Sequence, residues 1–564
     1  MGIYTKIISD TYYDSASLMK AQKSLSLLPE INQVGVMMGT DANKKLLLDL
    51  GLGHADFINA SAQDLLIVIK SDHPDILNSI EETLETILLS KNAQKNSLDY
   101  MPKSLEKALA MNPASNWVVL SVAGQYAISL AKEALDHGKN VFLFSDNISL
   151  EDEKTIKSLA QKKGLFVLGP DCGTAIINGI GFGFSNTVPR GDIGVIAASG
   201  TGLQQFTVCI QRLGEGISQA IGTGGRDLHP EIAAITTKQS LSFLRDDENT
   251  EVITLISKPP ELAIIQELIQ LALSISKPIV IYFIGFTPPS RRLKNIHFAL
   301  SLSDAAELSV KLRSDDSHNK KLYAAQALGH RDNTKEKRGV RALFSGGTLA
   351  YEFLTAYEIV IGSAQSNLKN KDTEQSLNHV TDSTLILDLG ADDYTQGRLH
   401  PMMDQELRLS MINEAAKDAT VTTLILDLVL GIGVPKNPAQ ELAEGIIQAK
   451  KIARDNNREL KVIVLVVGTD LDTQILSEQV AILEQSFAIV VHTTEDCITE
   501  LLLPKVEGQV KIKPIVSSEI HCITLGLTDF YQCFLEQEVP TTHVDWRPPA
   551  NGNPKLMALL DQLK

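Results

Sequence analysis

Short runs of aliphatic and β-branched residues recur along the chain, each followed by a Gly-rich turn and an amphipathic stretch. VGVMMGTDANKKLLLDLG, WVVLSVAGQYAISLAKEALDHG and NVFLFSDNISLEDEKTIKSLAQKKG are three examples. The runs are apolar throughout rather than alternating, as in strands covered by helices on both faces. Strand–turn–helix units repeated in this way predict βαβ connections, an α/β fold and mostly parallel sheets.

Two breaks divide the pattern. PRGDIGVIAASG restarts a strand–turn–helix series near Pro189, after an irregular Gly-rich stretch. Arg313 to Arg338 is polar and dense in charge, the signature of a solvated linker. The expected segments are an N-terminal α/β region at 1–115, an α/β segment at 116–188, a domain at 189–312, a linker at 313–340, a further α/β domain at 341–518 and a tail at 519–564. A weak internal repeat accompanies them. IGVIAASGTGLQQFTV is answered by RALFSGGTLAYEFL, and QAIGTGGRDL by LILDLGADDYTQGRLHP. Two similar domains in tandem suggest a pseudo-twofold pair with a cleft between them.

Composition narrows the class. A chain of 564 residues with 44% hydrophobic and 21% charged residues is globular in type, and long enough for about three or four domains. The net charge of −16 argues against nucleic-acid or anionic-membrane partners, which need a basic footprint. It leaves room for a small anionic substrate held at helix ends. The first residues lack the apolar core of a signal peptide, and the longest apolar run, LILDLVLGIGV, is interrupted by Asp427, so a cytoplasmic location is expected. Cys172, Cys209, Cys497, Cys522 and Cys533 are odd in number, widely spaced and without CxxC, which argues against disulfides or a zinc site. No metal is expected.

Three glycine turns carry the candidate chemistry. Ser199-Gly200-Thr201-Gly202 follows a strand and opens a helix, where free N–H groups attract an anion. In Gly222-Thr223-Gly224-Gly225-Arg226-Asp227, Arg226 is a candidate clamp for phosphate or carboxylate, or a structural partner of Asp227. Gly169-Pro170-Asp171-Cys172-Gly173-Thr174 ends a strand sharply and brings Asp171, Cys172 and Thr174 to its edge; no base is placed beside Cys172, so a small buried residue fits better than a nucleophile. In the second half, Gly346, Gly347 and Thr348 would form the mirrored turn. Gly390, Asp392 and His400 lie in a Gly-bounded loop after a strand, with His400 the candidate general acid or base. Asp545-Trp546-Arg547-Pro548-Pro549 would cap the cleft, meet a partner, or pack Trp546 onto its own domain.

Together these segments resemble the succinyl-CoA synthetase (NDP-forming acyl-CoA synthetase) superfamily. YYDSASLMK, VMMGTDANKKLL, LFSDNISLEDE, LGPDCGTAI, IGTGGRDL, ISKPPE and VDWRPPANG look like its FdrA family. Trp117 through Pro289 resembles the synthetase α-subunit, and 341–500 the ligase domain of the β-subunit. The resemblance implies a Rossmann-like CoA-binding-type domain plus two flavodoxin-like ligase-type domains.

It also exposes two departures. The synthetases phosphorylate a histidine three residues after an Arg-Arg pair. Here Arg291-Arg292 is followed at that spacing by Asn295, and His297 is out of register. The glutamate that supports that histidine is replaced by Lys258, and the ATP-grasp domain is missing. The phosphoryl relay to nucleotide is thereby lost, while the half that moves an acyl group to phosphate remains. The resemblance then implies an oxamate carbamoyltransferase component, converting oxalurate and phosphate to oxamate and carbamoyl phosphate in allantoin and purine breakdown. Phosphate would be the co-substrate, with CoA as a further possible ligand. A companion carbamoyltransferase subunit and a homo-oligomer are the expected partners. Lys258 would neutralise phosphate or oxamate charge. The alternatives are an acyl-CoA ligase and a non-catalytic subunit of a complex.

Overall fold

The computed structural model describes residues 2–9, 13, 15–26, 28, 31–61, 64–72, 101–288, 290–313, 339–369, 384–395, 399–502 and 521–547. The chain forms two units. One comprises Met1–Ala134, Gln396–Leu399 and His521–Lys564, the other Leu135–Thr395 and His400–Ile520.

In the first unit, strands β1 (Gly2–Ile8), β2 (Ile31–Met38) and β3 (Leu65–Ser71) form an antiparallel sheet in the order β1-β3-β2. The central strand LLIVIKS is buried on both faces. Leu65, Ile67 and Ile69 pack with Leu18 and Leu25 of helix Ser15–Ser26, while Leu66 and Val68 pack with Leu47 of helix Asp41–Asp49 and with Phe57. Thr40 caps the second helix by accepting from the Asn43 N–H at 3.3 Å. A continuous apolar run therefore signals two covered faces, and here it does so in an antiparallel sheet. Strand β4 (Trp117–Leu120) is fully buried and leads into helix Gly124–Asp136.

The second unit opens with the parallel pair β5 (Asn140–Leu143) and β6 (Val167–Leu168). Helix Leu150–Lys163 joins them and meets every local rule for a stable helix. Ser149 caps it, Glu151, Asp152 and Glu153 lie in its first turn, Lys162 and Lys163 in its last, and Gly164 closes it at φ 67°. Next come β7 (Thr174–Ile177), β8 (Ile180–Gly183), β9 (Arg190–Ala197), β10 (Ile217–Gly222), β11 (Val252–Ser257), β12 (Ile279–Phe283), β13 (Arg292–Leu293) and β14 (Ile296–Phe298). Their order is β13-β14-β12-β11-β9-β10-β7-β8, with β14 to β10 parallel and β13, β7 and β8 antiparallel at the edges. The β7–β8 hairpin, expected in the 116–188 segment, thus joins the sheet of the next one.

Strands β15 (Gly339–Phe344), β16 (Gln365–Ser366), β17 (Leu385–Asp388), β18 (Val421–Val429), β19 (Lys461–Val467) and β20 (Ile489–Val491) form an all-parallel sheet in the order β16-β17-β15-β18-β19-β20. The expected repeat is visible in both sheets: β10 flanks β9 as β17 flanks β15. One apolar core runs through both, from Val195, Leu203 and Phe206 to Phe344, Phe353, Ile425 and Leu465. Buried polar groups pin them further. Asn186 donates to Leu430 O (2.9 Å) and Asp472 Oδ2 (2.8 Å), and Gln205 donates to His492 O at 2.7 Å.

Strands β21 (Cys522–Leu525) and β22 (Thr541–Val544) return to the first unit. There β21 pairs parallel with β4, Cys522 opposite Trp117 and Leu525 opposite Leu120, and β22 lies outside β21. The region expected as a tail is part of a sheet. Trp546 packs on Tyr126, ring centroids 5.2 Å apart, while 548–564, with Pro548 and Pro549, lies outside the described residues. The linker between Arg313 and Gly339 lies outside them too.

Candidate functional site

In each of the two large sheets of the second unit, a central strand has a helix leaving its C-terminal end beside a reversal of strand order. Ligands of open α/β sheets collect at such crevices. Strand β9 runs into Ala198-Ser199 and helix Gly200–Arg212. Strand β15 runs into Ser345-Gly346 and helix Gly347–Val360.

The two helix ends meet. Ser199 Oγ and Thr348 Oγ1 share a short hydrogen bond, and Ser199 Oγ also accepts from the Gly202 N–H at 3.1 Å. A methyl group on Gly346 would fall 2.8 Å from Thr201 Cγ2, and one on Gly202 would fall 2.9 Å from Thr348 Cγ2. Glycine at these two positions is what lets the ends approach. The sequence-derived residues Ser199, Gly200, Thr201, Gly202, Gly346, Gly347 and Thr348 thus lie in one place.

The ends differ in charge. At the second, the carboxylate of Asp427, wholly buried in β18, accepts from Ser345 N (2.7 Å), Ser345 Oγ (2.9 Å) and Gly346 N (2.9 Å). Arg408 Nη1 donates to Asp427 Oδ1 and to its carbonyl, both at 2.8 Å. Burial pulls the Arg408 guanidinium below its usual range, and Asp427 holds it charged. Asp388, at the end of β17, accepts from Gly390 N at 2.9 Å, and its Oδ2 would lie 2.4 Å from a methyl group on Gly347. At the first end no carboxylate among the described residues takes that role. Leu426 faces Leu343, so Asp427 lies beside Phe344, two residues before the cap Gly346. Ile256 faces Ala197, two residues before the cap Ser199. Apolar Ile256 therefore occupies in β11 the position that Asp427 occupies in β18.

The 169–174 turn lies beside the first helix end. Cys172 is buried, donates to Gly222 O (3.4 Å) and Thr174 O (3.5 Å), and burial pushes its thiol up to about 12. It is a packing residue and not a ligand-facing one. Gly222 and Gly224 also serve packing: methyl groups there would fall 2.2 Å from Thr174 O and 2.3 Å from Pro170 O. Arg226, expected to clamp an anion or pair with Asp227, instead meets Glu153 Oε2 (2.9 Å) and Ile148 O (2.7 Å). Asp227 belongs to the same buried network through Lys157 (2.7 Å) and Thr237. That network turns the Gly222–Arg226 loop into a wedge between elements. Asp171 is exposed at φ 54°, its Oδ2 near Gly225. Thr174 is buried, and its Oγ1 has no hydrogen-bond partner among the described residues.

Lys258 is exposed at the end of β11, its Nζ 5.9 Å above the Tyr351 ring. His400 stacks on Phe184 and accepts from Met402 N at Nδ1 (3.3 Å), which assigns the proton to Nε2, the nitrogen turned to Gly390. Burial, aided by the Arg408 charge, lowers its imidazole to about 4, so it is neutral near pH 7. The Asp392 side chain lies outside the described residues.

Around the Arg291-Arg292 pair, β13 and β14 form a hairpin at the edge of the sheet. His297 lies half-buried in β14 between Arg292 and Val280, and Arg291 pairs with Asp304 at 2.8 Å. Asn295 donates to the carbonyls of Ala272, Ile275 and Lys277, fastening the start of β12 at the end of the sheet away from Ser199.

Sequence reasoning missed Asp388, Asp427 and Arg408. The available signal was the repeated string TLILDL at 384–389 and 423–428, an acid near the end of an apolar strand in both places.

Comparisons with known proteins follow the same division. Residues 343–499 match CoA-ligase, and residues 1–102 match "AllF, heavy metal-associated domain". The second match does not carry a thiolate metal site here, since residues 1–102 contain no cysteine. "Uncharacterized protein YahF" of Escherichia coli is 38% identical over 495 residues, covering 85% of this chain and 94% of that protein. "Succinate--CoA ligase [ADP-forming] subunit alpha 1" of Archaeoglobus fulgidus is 27% identical over 195 residues, covering 34% of this chain and 65% of that one. The dinucleotide forming acetyl-coenzyme A synthetase 1 of Ca. Korarchaeum cryptofilum, in its apo form, matches 67% of this chain and 80% of its own at 18% identity and TM-score 0.28. No helix among the described residues is long and apolar enough to cross a membrane. Near-full-length similarity to YahF, with the CoA-ligase match, means the chain belongs with YahF to the succinyl-CoA synthetase-like acyl-CoA synthetase superfamily.

Proposed function

We propose that the chain moves a carbamoyl or acyl group to or from phosphate, as the FdrA-like component of an oxamate carbamoyltransferase. The observation that carries this reading is the juxtaposition of two helix ends through Ser199 and Thr348, with the partly buried Asn295 taken up in a structural role at the sequence position where the resemblance would put a phosphohistidine. Such a site keeps the means to bind phosphate beside a carbonyl and lacks the relay to nucleotide.

In this reading a phosphate oxygen attacks the carbamoyl carbon of oxalurate. The new C–O bond replaces the C–N bond, and the departing nitrogen takes up a proton to give oxamate. N–H groups at the helix ends stabilise the oxyanion that forms on the way. Lys258 meets the charge of phosphate or of oxamate from the end of β11. His400, neutral near pH 7, supplies a hydrogen bond from Nε2 more readily than it carries a proton. CoA remains a ligand of the second reading, an acid–thiol CoA ligase, which the succinate–CoA ligase relatives favour.

Purified chain, with and without its companion subunit, is given oxalurate and phosphate. Carbamoyl phosphate is the expected product. A CoA thioester formed from ATP, CoA and a carboxylate, with no carbamoyl phosphate, replaces the first reading by the second.

A further inference from the structure

Thr174 is 2% exposed, yet its hydroxyl donates to nothing among the described residues. The atom is aimed at the start of helix Gly200–Arg212. A methyl group on Gly200 would lie 3.6 Å from Thr174 Oγ1 and no closer than 3.9 Å to any other neighbour outside the helix. The helix is 13 residues long, so its first N–H groups have no partner within it. Of these, Gly202 N is taken by Ser199 Oγ. A buried hydroxyl without a partner is destabilising, and valine would fill the same space without that penalty. Its presence beside an open helix end indicates a ligand atom that completes its hydrogen bond.

We infer that Thr174 Oγ1 donates to an oxygen of a phosphate held at the N-terminus of helix Gly200–Arg212, and that this is the chain's single phosphate subsite. The opposite end is disfavoured because two carboxylates line it: Asp427 accepts from Ser345 N and Gly346 N just ahead of the helix, and Asp388 lies against Gly347. A second phosphate there would lie beside those carboxylates. The inference deepens the phosphate-transfer reading and rests on its assignment of phosphate to this site. It adds which end binds and which side chain selects.

The test is calorimetric titration of the full chain with inorganic phosphate alone, beside thermal unfolding without phosphate. Wild type is expected to bind one phosphate per chain. T174V is expected to bind roughly ten-fold or more weakly, the effect of losing one hydrogen bond to a charged group. T174S should stay close to wild type. Without phosphate, T174V should melt no lower than wild type, because the hydroxyl it removes has no partner. Undiminished binding by T174V, two equivalent phosphates per chain, or no binding by wild type each overturns the inference. The outcomes separate from those of the parent reading. Thr174-dependent phosphate binding without carbamoyl phosphate formation leaves the inference standing and removes the carbamoyl transfer. Carbamoyl phosphate formation with an unchanged KM for phosphate in T174V does the reverse.

Discussion

The turns that begin helices Gly200–Arg212 and Gly347–Val360 read almost alike, ASGTG and FSGGT, and they touch each other. Their surroundings differ at one decisive place. A neighbouring strand supplies Ile256 at the first turn and Asp427 at the second. One turn faces a hydroxyl without a partner among the described residues, while the other is lined by a buried carboxylate paired with an arginine. The difference extends along the helices, for the sixth residue is Gln205 in one and Glu352 in the other. A duplicated turn thus meets different surroundings in its two copies, set by the neighbouring strands rather than by the turn.

The strongest way to break this contrast is D427A. Arg408 would be left buried without its counter-charge, so a loss of about 3–5 kcal/mol is expected from denaturant unfolding. If D427A matches wild type within experimental error, the second end is not closed by that pair.

Glu352 supplies the next effect. Its carboxylate accepts from Leu302 N and Thr494 Oγ1, both at 2.7 Å, and from Tyr282 OH at 3.2 Å. Burial first, and the charge of Glu495 second, raise it from 4.5 to about 7 against those hydrogen bonds. A raised carboxyl binds its proton more tightly in the folded state. Its stabilising contribution is therefore complete below pH 4.5 and lost as pH rises through 7, roughly 3 kcal/mol in all. E352Q should flatten that slope, bringing the second helix closer to the first with its Gln205. A slope unchanged in E352Q assigns it to another group.

Smaller still is the paired substitution G346A and G200A. The methyl group in G346A meets Thr201 at 2.8 Å, and about 1–3 kcal/mol should be lost. In G200A the nearest atom is 3.6 Å away, so thermal unfolding should shift little. Equal effects would show that the ends are packed alike. S199A closes the series: loss of the cap on Gly202 N costs about 1 kcal/mol.

Much of this was legible in the sequence because it is local. Strand runs, the Ser199 cap, the burial of Cys172 and the duplicated turn all follow from residues close together in the chain. What escaped depends on distant pairing. Asp427 reads as an interruption of an apolar run, and only the β15–β18 register puts it beside Ser345. Arg226 lies next to Asp227 in sequence, whereas its partner Glu153 comes from helix Leu150–Lys163. The hairpin that withdraws His297 into a strand needs β12 as its template. No local pattern announces that Cys522–Leu525 will lie beside Trp117–Leu120.

That last pairing has a consequence for how the protein is made. Ser121 Oγ donates to Leu525 O across 404 positions. At ribosomal rates β21 emerges roughly 20–80 s after β4. For that interval β4 presents an apolar strand edge that Cys522–Leu525 will cover, an invitation to pair with another nascent chain. A chain cut short before Cys522 would cost the cell more than the missing residues: it would keep that edge unpaired.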